Sequence, residues 1–492
     1  MTPRLRHVLV SLVAMIVAIY SGWQIADSNF MFAALVGALL VIVMLEWWGW
    51  LTTEASVCVF LLAGYVLGNR GFAQIMPLGT LPLPIGELGL ALATGLVIAR
   101  HIATRHLPIR WNAVGLTLLV WALLGAGRLA LDVRSYGFYA LRDFATVYYC
   151  VFYFLLLIIG SDTVARGRLQ KCLVVIFGLL PVIAAIVEQF PVFFLTQFTL
   201  RGVPVFFYKG DLLATFLCSG FFLLVLWSRR QPALLRLTGQ ALAALSLGFG
   251  LYLLSRAAML GLIVGLLGCA LAGRWLVLRV AGLTVVLGLM LAVADAAFVQ
   301  ADFKQSRIYA AYEHVVSIAD FSGSRSYQGD MSLDTGDNNR FRMVWWHSIA
   351  RETLSGSPLF GLGFGYDLAA GFIRAYDMEM GDDFTARSPH SIVLTVFGRM
   401  GILGAGFWLW FMLLLTKRSW QLAQACRANE TAADDALSYH AATWVILISA
   451  CFGVVLEGPM GAVVFWSLLG LAHAAQNESE SLSAPSLKDG EL

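Results

Sequence analysis

Charge is what this sequence has least of. Of its 492 residues only 13% are charged, while 59% are hydrophobic. Soluble proteins carry charge at about a quarter of their positions, so a soluble globular enzyme is excluded. Seven cysteines lie mostly inside apolar runs and form no CxxC pair, so neither a zinc site nor a disulfide framework is indicated. The net charge of +3 is spread over many loops and builds no nucleic-acid patch. No clear internal repeat occurs. No small-residue cleavage site follows the first apolar segment, which reads as a retained helix after MTPRLRH rather than a signal peptide.

Long apolar runs fill the chain instead. They recur at roughly 17–25 residues, the length of a bilayer-crossing helix. The expected fold is all-α, a polytopic integral membrane protein with about 14 (12–14) transmembrane helices and one large periplasmic loop. Residues 1–299 hold the first part of the transmembrane domain. Residues 300–388 form the loop with an amphipathic helix, and 389–475 complete the bundle. The polar stretch 476–492, QNESESLSAPSLKDGEL, is expected to be a disordered cytoplasmic tail.

Orientation follows from the short basic loops. Arg4/Arg6, Arg100/Arg105/Arg110, Arg166/Arg168/Lys171, Arg229/Arg230/Arg236, Arg274/Arg279 and Lys417/Arg418/Arg427 fall between alternate spans. That face is expected to be cytoplasmic. The long loop then lies on the periplasmic side, because long loops translocate regardless of charge.

Outer loops should be poor in cations, yet several keep them. RLALDVRSYGFYALRD carries Arg128, Arg134 and Arg142, and RGVPVFFYKGD carries Arg201 and Lys209. The hairpin LYLLSRAAMLG adds Arg256, and DNNRFRMVWW adds Arg340 and Arg342. Guanidinium groups grip phosphate oxygens in pairs, which makes pyrophosphate the natural ligand. Arg142 also has an ion-pair reading with Asp143. Arg128 and Arg134 read as side chains reaching lipid headgroups, and Arg201 and Lys209 admit the same reading. Arg256 has almost no polar neighbour in sequence except Ser255, and an unpaired charge there points to function.

DNNRFRMVWWHSIARETLSGSP reads as a helix capped by Asp337 or Asn338 and ended at SGSP. Arg340 and Arg342, two residues apart, project differently, so at most one is expected to enter a shared site. Trp345, Trp346 and Ile349 suit the bilayer interface. The glycines of PLFGLGFGYD predict a tight turn, not a nucleotide loop. Among the histidines, solvated roles suffice for His7, His101, His106, His440 and His473. His314 and His347 lie on the outer loop, where His347 reads equally as a packing residue and a catalytic one. His390 follows Pro389 and begins a lipid-anchored helix, a place where an imidazole can serve as a general base or simply as a structural residue.

Three stretches together resemble the O-antigen ligase and O-antigen polymerase superfamily of bacterial cell-envelope glycosyltransferases. They are SRAAMLG with Arg256, then Arg342, Trp346, Pro358, Gly361 and Gly363 in order, then SPHSIVLTVFGRMGILG with His390. The resemblance covers roughly residues 195–475. Two positions depart from it: Ser391 stands where the family usually has Asn, and Arg399 where it often has an acid. Glu457 is the expected partner of Arg399.

The resemblance implies a metal-independent, inverting glycosyltransferase at the periplasmic surface of the inner membrane, with no cofactor. Its donor would be a glycan on undecaprenyl pyrophosphate, and its acceptor a hydroxyl of another glycan or of lipid A-core. His390 would be the catalytic base. Arg256, Arg342 and Arg340, with Arg142, Arg201 and Lys209 as further candidates, would bind the pyrophosphate. No Asp-x-Asp pair in a metal-binding context occurs on the outer face. Two rivals are a lipid-linked oligosaccharide flippase or transporter and a non-catalytic assembly subunit.

Overall fold

The computed structural model describes residues 15, 17–26, 30–77, 83–105, 111–299, 307–320, 332–376, 387–428 and 433–483. It is nearly all-α. Among the described residues, nine helices are long and apolar enough to cross a membrane. Two further apolar helices, Thr53–Gly68 and Arg256–Leu271, are shorter. The expected count of about 14 spans also included segments near 440–456 and 459–475. These are helices Asp434–Cys451 and Pro459–Ser483, which fall outside the nine.

The chain divides into two compact units, residues 1–106 with 183–208, and 107–182 with 209–492. The first contains helices Phe30–Trp47, Thr53–Ala63 and Ile85–Thr104, and a small antiparallel pair, Thr199–Leu200 with Val203–Pro204. Glu54 and Arg100 form an ion pair in it at 2.5 Å. Arg201 and Gly202 make the hairpin tip, both with positive φ.

The second unit is built around helix Gly210–Ser228, nearly all of whose residues are buried. It packs against Ala233–Tyr252 and Asp434–Cys451, and Arg256–Leu271 lies against Asp434–Cys451 in turn. Apolar helices in lipid gain little from excluding water, so they associate by close packing of small residues. Gly261 shows this: a Cβ there would stand 2.8 Å from the Cα of Val445. At one end, Asp434 is buried between Arg274 Nε at 2.6 Å and Arg229 Nη1 at 2.7 Å, and Arg230 meets Asp435 at 3.0 Å. Basic residues from two separate loops thus converge on one pair of acids.

Helix Ile392–Ala428 is interrupted at Gly401, which has φ 64° and ψ −158°. A broken helix frees backbone groups that need partners. The glycine-rich loop supplies them. Leu362 N–H donates to the Gly398 carbonyl at 2.7 Å, and Gly363 N–H to Arg399 at 3.2 Å. In return, Ile402 N–H donates to Pro358 at 2.8 Å and Leu403 N–H to Leu359 at 3.2 Å. Gly361, Gly363 and Gly365 all have positive φ, so the tight turn expected from their spacing is what forms.

Several local readings are corrected. The loop helix begins at Ser332, ahead of Asp337 and Asn338, and ends at Gly356. Trp345 and Ile349 are fully buried with Leu368, Ala369 and Phe372; they hold the loop together rather than lying on lipid. Arg128 binds Asp132 at 2.9 Å instead of reaching for headgroups. His440 and His473 are buried, not solvated. His473 meets the Tyr153 hydroxyl at 3.0 Å, and His440 meets Ser419 at 3.3 Å. The last helix continues through 476 to Ser483; residues 484–492 of the expected tail lie outside the described residues.

The interlock at Gly401 makes a sharp prediction. A Cβ on Gly361 would stand 2.5 Å from backbone atoms of Arg399, Met400 and Gly401, whereas one on Gly202 meets nothing within 4 Å. Both glycines have positive φ, so Gly202→Ala should carry only the left-handed penalty of about 1–2 kcal/mol. Gly361→Ala should exceed about 4 kcal/mol, the range reserved for severe disruption. Thermal denaturation in detergent compares them, and equal losses would contradict the interlock.

Candidate active site

Arg256 opens the helix Arg256–Leu271, behind the N-cap Ser255, whose side chain accepts from Ala258 N–H. Leu254 just before it has φ 52°, a turn conformation that ends the preceding helix abruptly. This turn lines a cavity of about 470 Å³ together with Gly210, Asp211, His314, Ser317, Arg342, Trp346, Phe452 and Gly453. Helix N-termini present unpaired N–H groups and partial positive charge, which favours anions. Two helices, Gly210–Ser228 and Arg256–Leu271, start at this cavity.

The two arginines enter from different elements. Arg256 Nη1 donates to Ser317 Oγ at 3.2 Å. Arg342, on the loop helix, donates from Nη1 to the Phe452 carbonyl at 2.9 Å. Its Nε is buried without a hydrogen-bond partner among the described residues. Burial first, and then the Arg256 charge, push the Arg342 guanidinium toward losing its proton. Asp211, on the same wall, opposes that shift.

His390 is not on the cavity wall. It adjoins it through Trp346, a wall residue whose indole N–H donates to the Pro389 carbonyl at 2.9 Å. The imidazole lies 5.8 Å from the Trp345 ring, centroid to centroid, and its backbone is left-handed, with φ 55°. Its pKa is lowered to about 4, by burial first and then by Lys209 and Arg342, with Asp211 opposing. The ring is therefore neutral at physiological pH and able to accept a proton.

The remaining candidates divide. Lys209 pairs with Asp211 at 3.6 Å, beside the cavity. Arg142 contacts Asp143 at 3.4 Å and the Tyr139 ring at 5.4 Å. Arg201 belongs to the first unit, where Nη1 donates to the Pro77 carbonyl at 3.5 Å. The side chain of Arg340 lies outside the described residues. Arg399 does not take Glu457 as its partner. It pairs with Asp143 at 2.8 Å and donates to the carbonyls of Gly363 and Tyr366.

Residues 241–409 match the family model of the O-antigen ligases. The segment holds Arg256, Arg342 and His390, the residues that carried the superfamily resemblance. Among curated proteins, none matches the chain. The cavity is completed from outside the matched segment, by residues 210–215 and 449–455, among them Asp211 and Phe452.

Of the ionisable wall residues, Asp211 was not singled out in the sequence, and His314 was placed on the outer loop without a role. Asp211 was hidden behind Lys209 in the YKGD stretch. His314 sits on helix Arg307–Ala319, which no periodicity argument had placed. Arg387 was also missed. It donates to the Gly365 carbonyl at 2.6 Å and stacks on Tyr139 at 4.5 Å, and the only sequence signal was its nearness to His390.

A pH prediction follows from His390. Its unfolded imidazole titrates near 6.5 and the folded one near 4. Between these values the unfolded chain binds more protons, so folding stability falls as pH drops from 6.5 toward 4. His390→Gln should lessen that slope and leave melting at pH 7–8 near wild type. An unchanged slope in detergent melting curves would contradict the buried, neutral imidazole.

Proposed function

We propose that this O-antigen ligase-type membrane protein is an inverting glycosyltransferase of the periplasmic face of the inner membrane. It transfers a glycan from undecaprenyl pyrophosphate to a hydroxyl of another glycan or of lipid A-core. The observation that supports this best is the convergence of Arg256 and Arg342 on one cavity, with His390 joined to its wall through Trp346 and Pro389. Arginine forks match diphosphate oxygens, and Trp346, Leu260 and Val455 give the same cavity apolar walls for a lipid-linked donor.

In this reading the acceptor oxygen attacks the anomeric carbon as the bond to the pyrophosphate oxygen breaks. The acceptor proton passes to the neutral imidazole of His390. Arg256 and Arg342, with Lys209 nearby, stabilise the negative charge of the leaving undecaprenyl pyrophosphate. The leaving group is already a good one, so no separate acid is required to protonate it. Chemistry of this kind rests on positioning and charge, which the chain's own residues provide.

The test is release of undecaprenyl pyrophosphate by purified protein offered lipid-linked glycan and an acceptor. Arg256→Lys and Arg342→Lys should both lose most transfer, because a point charge does not reproduce the bidentate fork. His390→Gln should lose about 10²–10⁴-fold while donor binding survives. Near-normal transfer in both lysine variants would reduce the arginines to bulk charge, and an active His390→Gln would remove the base. Sidedness has its own check: Ser355→Cys should label from the periplasm and Arg236→Cys should stay protected in intact cells. The reverse pattern would place the cavity in the wrong compartment.

A further inference from the structure

Glu457 lies in the short segment 452–458 between helices Asp434–Cys451 and Pro459–Ser483. Its carboxylate has two hydroxyl donors. Thr395 Oγ1 donates to Oε1 at 2.6 Å, and Ser388 Oγ donates to Oε2. Ser388 stands two residues before His390 and Thr395 five after, so one carboxylate holds both flanks of the histidine turn. Between them, His390 carries the left-handed φ of 55°, a conformation that side-chain-bearing residues adopt only when their surroundings impose it. Trp346, donating to Pro389 at 2.9 Å, is the third tether.

The same segment also holds the anion-binding side. Phe452 accepts from Arg342 at 2.9 Å through its carbonyl, and Gly453 and Val455 line the cavity. Both oxygens of Glu457 are occupied, and it is not on the cavity wall, so it is placed to orient rather than to react. Burial raises its pKa, while Ser388, Thr395, Arg399 and Lys209 favour the carboxylate.

Resting on the reading of His390 as base, we propose that Glu457 is the positioning residue of the transfer reaction. By clamping Ser388 and Thr395 it fixes the imidazole relative to the Arg342 that the same segment anchors. Small misplacements of a reacting group are enough to slow chemistry by about 10²-fold, and they do so without weakening donor binding.

The experiment uses the full chain in detergent with lipid-linked O-antigen glycan and lipid A-core oligosaccharide. Glu457→Gln should lower kcat by about 10–10²-fold, with KM for the donor changed by less than about two-fold. Glu457→Asp should be no better than Gln, because the shorter side chain cannot reach both hydroxyls. Thr395→Val removes one arm at nearly constant volume and carries the test should the buried glutamate variants not fold. A readout independent of turnover is the rate at which diethyl pyrocarbonate modifies His390, followed by peptide mass spectrometry at pH 7. It should rise several-fold in Glu457→Gln and Thr395→Val if the turn is released. An unchanged rate and unchanged kcat would overturn the clamp, as would a rise in KM alone. Should His390→Gln retain transfer, the base reading fails by itself, and the modification rate still decides whether Glu457 holds the turn.

Discussion

The site depends on an exchange of backbone hydrogen bonds between a broken helix and a glycine loop. Gly401 interrupts Ile392–Ala428, and in an apolar setting every freed N–H and carbonyl must find a partner. The loop 358–363 provides them in both directions. Only glycine can occupy Gly361 and Gly401, whose backbones pass so closely that a Cβ on either would meet main-chain atoms at 2.5 Å. Beneath this contact, Asp132 and Asp143 accept from the Phe364 and Gly365 N–H groups at 2.7 and 3.0 Å. The loop is therefore fastened by main chain and by carboxylates. The loop helix packs against the interrupted helix and brings Arg342 to the cavity.

Charge in that cavity is arranged out of balance. Among the described residues, Arg256 and Arg342 share the wall with one carboxylate, Asp211, and Lys209 stands beside it. Two helix N-termini add to the same sign. A diphosphate would relieve this excess, and the proposed chemistry draws on the same imbalance. The imidazole of His390 is held neutral by burial and then by Lys209 and Arg342. An anion that offsets those two cations would raise its affinity for a proton when the acceptor hydroxyl must lose one.

Much of this was legible in the sequence. Hydropathy alone established a multi-pass helical protein, because lipid tolerates so few charges. Arg256 stood out as a cation with almost no polar neighbour in sequence except Ser255, and the structure puts it on the cavity. The tight turn at Gly361, Gly363 and Gly365 followed from spacing. What failed were statements about partners. Arg128 and Asp132 sit four apart on one helix, yet the outer-face location suggested lipid. Trp345 and Ile349 looked amphipathic, but the residues that cover them come from 368–372, beyond the reach of local periodicity. His440 and His473 were read near span ends, where solvent was assumed, but His473 lies mid-way along Pro459–Ser483. Their burial is set by tertiary packing of helices that a linear reading leaves apart.

The clearest case is Arg399. In sequence, an arginine inside a span and a carboxylate read as intramembrane invite pairing, and Glu457 was the expected partner. A guanidinium has five donors in a fixed fork, however, and one carboxylate does not satisfy them in a buried place. Asp143 and the carbonyls of Gly363 and Tyr366 give Arg399 three acceptors at once, all tied to the loop it must hold. That choice leaves both oxygens of Glu457 for the hydroxyls of Ser388 and Thr395. One arginine thus fixes the glycine loop, while the glutamate it does not bind is free to hold the turn that carries His390.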